Sequence, residues 1–223
     1  MRVGIVGGTG DLGCGLALRL SAAGHEVILG SRSAARGQEV AARLGQPLVR
    51  GAANGEAARA GDVVILACPH EGHAALVADL APLLTGKVVV DAVVPLGAGL
   101  TYAPPAEGSC AHQAQRLAPD AKVVAAFHSV SARLLADVDR PLDQDVLLCG
   151  DDDAARAAVM DLVASVGARG VDAGGLRWAP TLEALAVLVI NLNVRYGRRH
   201  LGVRIAHLPA DARPRLRPTR PEP

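Results

Sequence analysis

Six residues near the start of the chain, Gly8-Thr9-Gly10-Asp11-Leu12-Gly13, carry the spacing G-x-G-x-x-G between an apolar run and a helical pattern. Glycine inside an element costs about 0.5–1 kcal/mol relative to alanine, so such a cluster needs a use. Pyrophosphate binding supplies one. The first glycine permits a tight turn, the second lets backbone approach the phosphates, and the third lets helix pack on strand. The N–H groups of the helix N-terminus then face the anion. A plain glycine-rich strand–helix turn is the structural alternative.

The choice of dinucleotide is written a few residues on. An NAD site places a carboxylate after the second strand to bind the ribose 2′-hydroxyl. Here "EVILGSRSAAR" has none, and Ser31, Arg32, Ser33 and Arg36 stand in its place. Two guanidiniums and two hydroxyls suit a 2′-phosphate, and cations at a helix N-terminus oppose its dipole unless an anion binds there. The pattern predicts NADP.

A proton donor is harder to find. Both lysines, Lys87 and Lys122, begin predicted strands, at the edge opposite the one where ligands of such sheets bind. Neither Tyr102 nor Tyr196 has a lysine four residues on. His70, His73 and His128 all follow predicted strand ends. "CPHEGH" at 68–73 groups Cys68, His70, Glu71 and His73, but the spacing is not H-E-x-x-H and Pro69 makes it a loop. No metal is expected there; the loop is expected to lie along the nicotinamide half of the cofactor, with Cys68, His70 and His73 as contacts. "FHSVSAR" at 127–133 offers His128 and Ser129 at another strand end, or simply a helix capped by Ser129 or Ser131. "CGDDD" at 149–153 reads as capping and dipole chemistry.

The elements that must position these residues alternate regularly. Strands are predicted at 2–6, 26–30, 62–68, 87–93, 122–127 and 145–150, with helices near 12–23, 34–44, 73–84, 109–117, 131–137 and 152–166. Continuous Val/Ile/Leu runs alternating with helices predict an α/β fold, a doubly wound parallel sheet of the Rossmann type. A small C-terminal helical extension, centred on a long helix near 180–196, follows it. The domains expected are 1–178 for the dinucleotide, 179–208 for a helical segment packing on it and on a second chain, and 209–223 as a disordered, proline-rich tail. The apolar run "LEALAVLVI" is too short to span a membrane and holds a glutamate. Half of the 223 residues are apolar but only 2% aromatic, and the net charge of +1 gives no mandate for nucleic acid. Four cysteines without a C-x-x-C pair point to reduced thiols and a cytoplasmic setting.

The opening "MRVGIVGGTGDLGCGLALRLSAAGHEVILGSRS" resembles the NADPH-dependent reductases of the deazaflavin coenzyme F420. The resemblance continues through "VVVDAVVPLG", "FHSVSAR", "CGDDD", "DAGGL", "LEAL" and "YGRRHLGVRI", and so covers most of residues 1–205. It implies hydride transfer between nicotinamide C4 and deazaflavin C5, in either direction, in a homodimer. It implies NADP contacts at Thr9, Leu12, Ser31, Arg32 and Arg36. It also implies a deazaflavin pocket from "VVPL" (with Val94 and Pro95), "FHSV" and Arg177. His128 would then polarise a ring carbonyl, and Arg177 would favour the anionic reduced ring. "CPHEGHAA" is one residue longer than the family pattern, Pro180 stands where a polar residue is expected, and the Arg/Pro-rich tail is extra. Two other readings stay open: an NADPH-dependent imine or carbonyl reductase using His128 as acid, and an NADP-binding regulatory protein.

Overall fold

The computed structural model describes residues 1–209, so all but the first residue of the expected tail lies outside the described residues. The chain runs β1 (Arg2–Val6), α1 (Asp11–Ala22), β2 (Glu26–Ser31), α2 (Ala34–Leu44), β3 (Val49–Ala53), α3 (Asn54–Ala60), β4 (Val63–Leu66), α4 (His73–Leu84) and β5 (Val88–Asp91). It continues through α5 (Cys110–Leu117), β6 (Lys122–Ala125), α6 (Ala132–Ala136), β7 (Asp145–Gly150), α7 (Asp153–Ser165), β8 (Arg169–Asp172) and α8 (Ala179–Arg195). The strands form one sheet in the order β3-β2-β1-β4-β5-β6-β7-β8.

Both faces of the sheet are covered, which is why its strands read as unbroken apolar runs. Ile5, Ile65, Val90 and Val124 point to one layer with Leu16 and Leu20 of α1 and Val159 and Leu162 of α7. Val64, Leu66, Val89 and Val123 point to the other, with Val77 and Leu80 of α4, Ala111 of α5 and Leu182 of α8. The period-2 alternation of the pleat thus splits each run between two cores. Side chains of Ser33, Ser109, Ser131 and Asp152 cap α2, α5, α6 and α7. Of the two serines considered for "FHSVSAR", Ser131 is the cap, accepting from the Leu134 N–H at 3.4 Å.

The sheet is not wholly parallel as expected. β1 to β6 are parallel, but β7 runs antiparallel to β6, with Ala125 opposite Cys149 and Val124 opposite Gly150. The connection from β6, residues 126–144 with the five-residue α6, begins and ends at the carboxyl edge, so the chain enters β7 from the end at which it left β6 and runs back beside it. Three elements escaped the sequence pattern. β3 reads "VRGAA", α3 is seven residues, and β8 reads "RGVD" with every residue only half-buried. Among the described residues no helix is long and apolar enough to cross a membrane.

Candidate active site at the carboxyl edge of the sheet

Val6, Leu66, Asp91 and Ala125 lie in one row at the carboxyl ends of β1, β4, β5 and β6. Four loops therefore leave the sheet along a single edge: Gly7–Gly10, Ala67–Gly72, Ala92–Gly97 and Ala126–Ser131.

The first loop separates two uses of glycine. A Cβ on Gly8 would stand 2.7 Å from the Ile5 side chain, and one on Gly13 would stand 2.2 Å from the Gly8 carbonyl oxygen. Packing alone demands both. Gly10, the residue before α1, would meet nothing within 4 Å, and no side chain caps the helix there. Its bareness serves no contact within the protein. What it leaves is an open helix N-terminus whose N–H groups, those of Asp11, Leu12 and Gly13 among them, are ready for an anion. The residues present thus fit a pyrophosphate. Thr9 and Leu12 are half-buried beside it and Asp11 is exposed. Asn54, which sequence reasoning missed, shapes the turn: its Oδ1 accepts from the Gly7 N–H at 3.0 Å, and Gly7 has φ +66°.

At the end of β2, Ser31 is buried and Arg32 exposed. The Ser33 hydroxyl accepts from the Arg36 N–H at 3.2 Å, so its oxygen already caps α2. The Arg36 guanidinium lies 2.8 Å from Glu39 in an exposed pair, which is worth 0–1 kcal/mol and yields easily to a stronger anion. Among the described residues Arg32 makes no side-chain hydrogen bond or ion pair. It is the free cation of the group.

The histidines separate. His73 does not reach the ligand side as expected: it opens α4 fully buried, with Nε2 2.8 Å from Asp91 Oδ2 and Nδ1 3.0 Å from Gln113 Oε1. The helix starts at His73 itself, and that turns the ring under the loop. His70 is half-buried, with Nδ1 3.4 Å from the Cys110 sulfur. Burial pushes the Cys68 thiol up to about 12, so at pH 7 it is a neutral thiol and no nucleophile. Val94 is half-buried and Pro95 buried in the loop after β5.

His128 is buried after β6, next to Phe127, whose φ is +67°. Neither ring nitrogen has a hydrogen-bond partner. Burial lowers its pKa to about 4, against an opposing pull from Asp91, so the ring is neutral at pH 7. An unpartnered buried polar side chain carries a desolvation cost that a ligand could relieve. Ser129 beside it is half-buried, and the Ser131 hydroxyl donates to the Arg199 carbonyl at 3.1 Å, which holds the C-terminal segment at this edge.

Arg177 is not brought here by its own chain. Because β7 is reversed, the turn at Asp151–Asp152 lies toward the opposite edge, where Asp152 meets Lys122 at 3.2 Å. The Leu176 N–H donates to Asp151 Oδ1 at 2.8 Å, which keeps Arg177 beside that turn, exposed and stacked 6.0 Å from the Trp178 ring. The acids of "CGDDD" are structural: Asp152 accepts from the Ala155 N–H and Asp153 pairs with Arg156.

Two buried carboxylates under the loops were missed, Asp91 and Glu183. Glu183 of α8 accepts from the Cys110 and Ala111 N–H groups at 3.0 and 3.1 Å. Burial pushes its carboxyl up to about 8, against those two donors. Each stood in the sequence as a lone acid within an apolar run, and that is the signal that could have found them.

Known proteins share this architecture and much of its sequence. Residues 2–95 match the family described as NADP oxidoreductase coenzyme F420-dependent. The F420-dependent NADP reductase of Methanocaldococcus jannaschii is 38% identical, over 93% of this chain and 99% of its own. That of Methanothermobacter marburgensis is 38% identical over 94% and 100%. A solved structure from Arthrobacter sp. FB24, assigned as an F420-dependent NADP reductase, superposes with a TM-score of 0.82 at 31% identity, covering 93% of this chain and 100% of that one. The chain belongs to the F420-dependent NADP reductases.

Proposed function

We propose that the protein transfers a hydride reversibly between NADP(H) and coenzyme F420, with the reaction held at the carboxyl edge of the sheet. The observation that carries this reading is the near full-length likeness to F420-dependent NADP reductases, joined to an edge whose residues fit the dinucleotide. The two substrates supply the hydride chemistry, between nicotinamide C4 and deazaflavin C5. The chain supplies position. Backbone N–H groups after Gly10 hold the pyrophosphate, and Ser31 with Arg32 holds the 2′-phosphate, with Arg36 drawn from Glu39. Val94, Pro95 and Ser129 line the ring pocket, and His128 donates one N–H to a ring carbonyl.

The protonation state of His128 favours this reading over reduction of an imine or carbonyl. A ring whose pKa is about 4 carries no spare proton at pH 7 and is a poor general acid. Transfer between two stacked rings needs alignment and no such acid. Mixing the protein with NADPH and oxidised F420 should bleach the deazaflavin absorbance. Failure to do so, with turnover of a cyclic imine instead, would overturn the assignment.

We also propose a homodimer. Pro180, Thr181, Ala184, Leu185 and Leu188 of α8 line an apolar depression, with Leu188 54% and Trp178 44% exposed. A second copy packed antiparallel about Ala184 would cover it. That pairing sets Arg177 of one chain against Asn191 of the other, whose amide donates to the Leu100 carbonyl at 2.8 Å. Arg177 then serves the site of the second copy, at the loop that follows β5. The four free cysteines support a reducing cytoplasm as its setting.

A further inference from the structure

His73 is bonded in a way that decides its charge by geometry. Its Nε2 faces the Asp91 carboxylate at 2.8 Å and its Nδ1 faces Gln113 Oε1 at 3.0 Å. The Gln113 amide cannot simply be turned round, because its Nε2 donates to Glu107 Oε2 at 3.1 Å, and Glu107 is itself held by Arg116 at 2.6 Å. Both ring nitrogens therefore meet acceptors. A neutral imidazole donates from one nitrogen only and would turn a lone pair on the other oxygen. Two donors mean imidazolium.

The partner of that imidazolium reaches the site. Asp91 Oδ2 accepts from the His73 Nε2–H, while Oδ1 accepts from the Val93 N–H at 3.0 Å, inside the turn that launches Val94, Pro95 and Leu96. The groups facing the pair are Cys68 after β4, Cys110 and Gln113 on α5, Glu183 on α8 and His128 after β6. The two thiols are pushed up by burial and His128 is pushed down, so all three stay neutral near pH 7. Among the described residues His73 is the one cation placed to balance Asp91, and losing its proton would leave a buried carboxylate uncompensated.

We propose that His73 is a positioning residue for the deazaflavin. Held as the imidazolium, it fixes Asp91 and, through the Val93 N–H, the Val93–Leu96 loop on which the ring docks. This rests on the reading that the loop lines the deazaflavin pocket, and it assigns to the His73 proton a role in one substrate's affinity and not the other's. The dinucleotide loop hangs from Asn54 and Gly30 and does not touch this pair.

The test measures KM for F420 and for NADPH across pH in the wild type, His73→Gln and Gln113→Met, with 15N spectra of the histidine rings of the full chain at pH 7. The wild-type ring of His73 should show both nitrogens protonated. The F420 KM should rise at alkaline pH as that proton leaves, with the NADPH KM flat. Gln113→Met removes one acceptor, so the rise should move down by roughly one pH unit. His73→Gln should raise the F420 KM about tenfold at pH 7, corresponding to the loss of one charge-assisted hydrogen bond, and abolish the limb, so that the gap to the wild type closes at alkaline pH. A neutral His73 ring, an alkaline limb that Gln113→Met leaves unmoved, or parallel rises in both KM values would each overturn the proposal. If His73→Gln fails to fold, Gln113→Met and the spectra still decide it. A wild type that does not turn over F420 sinks the functional reading instead, while the ring spectra still report on His73.

Discussion

At the scale of single residues, the glycines of the first loop give a separable prediction. Gly10 has φ −86° and open space around its missing side chain, so Gly10→Ala should fold with an unchanged melting temperature. Its methyl would intrude on the proposed pyrophosphate site, so NADPH affinity should fall about tenfold or more, the equivalent of about 1.4 kcal/mol. Gly13→Ala sets a methyl 2.2 Å from backbone and should destabilise the whole fold. Equal thermal losses in the two variants would contradict this division of labour. Arg32 is the second case. Arg32→Ala removes the unpaired cation at the end of β2, at a cost of about 1.5–3 kcal/mol for a bond to a charged phosphate. The NADPH KM should rise ten- to a hundredfold by that figure, and the preference over NADH should shrink. An unchanged ratio of the two coenzymes would remove Arg32 from the site.

At the scale of elements, β7 and β8 are joined by a buried charge pair that can be read by pH. Asp145 begins β7 with a 4% exposed side chain, 2.6 Å from the Arg169 guanidinium and 2.6 Å from the Ile205 N–H. Burial raises its pKa, but the Arg169 and Ile205 bonds outweigh that and hold it below the ordinary carboxylate value of 3.8. A depressed carboxylate stabilises above its unfolded pKa and loses that contribution as pH falls through the folded value. Asp145→Asn should therefore cost about 1.5–3 kcal/mol near neutrality, the worth of a hydrogen bond to a charged group. In urea titrations its deficit against the wild type should close as the medium is taken below pH 3.8. A deficit independent of pH would show that packing and not charge is lost. This corner also marks where the sequence ceased to be legible. The strands of β1, β2, β4, β5 and β6 announced themselves because both their faces are buried, and the dinucleotide loop because its glycines are tied to a strand and a helix. β3 and β8 sit at the rims, where Arg50, Gly51 and Arg169 satisfy no apolar period. The reversal of β7 is set by the edge at which the connection from β6 returns the chain, which no pattern within the strand records. His73 was visible as chemistry and misplaced, because a ring opening a helix turns inward or outward with the helix start, within a single residue.

At the scale of the whole molecule, the proposed homodimer gives Arg177 a site to serve. In its own chain it sits beside Asp151, away from the four loops. The exposed apolar stripe of α8 offers a way across, since the proposed antiparallel pairing would carry each Arg177 toward the other copy's Leu100 loop. Placing a charge in that stripe, as in Leu188→Asp, should give a monomer by light scattering, with NADPH binding kept and the F420 KM raised. A sharper test uses complementation. His128→Ala and Arg177→Ala should each be poorly active alone. If Arg177 works across the interface, a hybrid of the two has one complete site, built from His128 of one chain and Arg177 of the other. Random exchange makes half of the dimers hybrids, each with one good site of two, so about a quarter of wild-type activity should return on mixing. If Arg177 works within its own chain, no combination contains a complete site, and mixing should restore nothing. Recovery near a quarter places the guanidinium across the interface. A silent mixture of variants shown to exchange subunits returns Arg177 to the surface where its own chain leaves it.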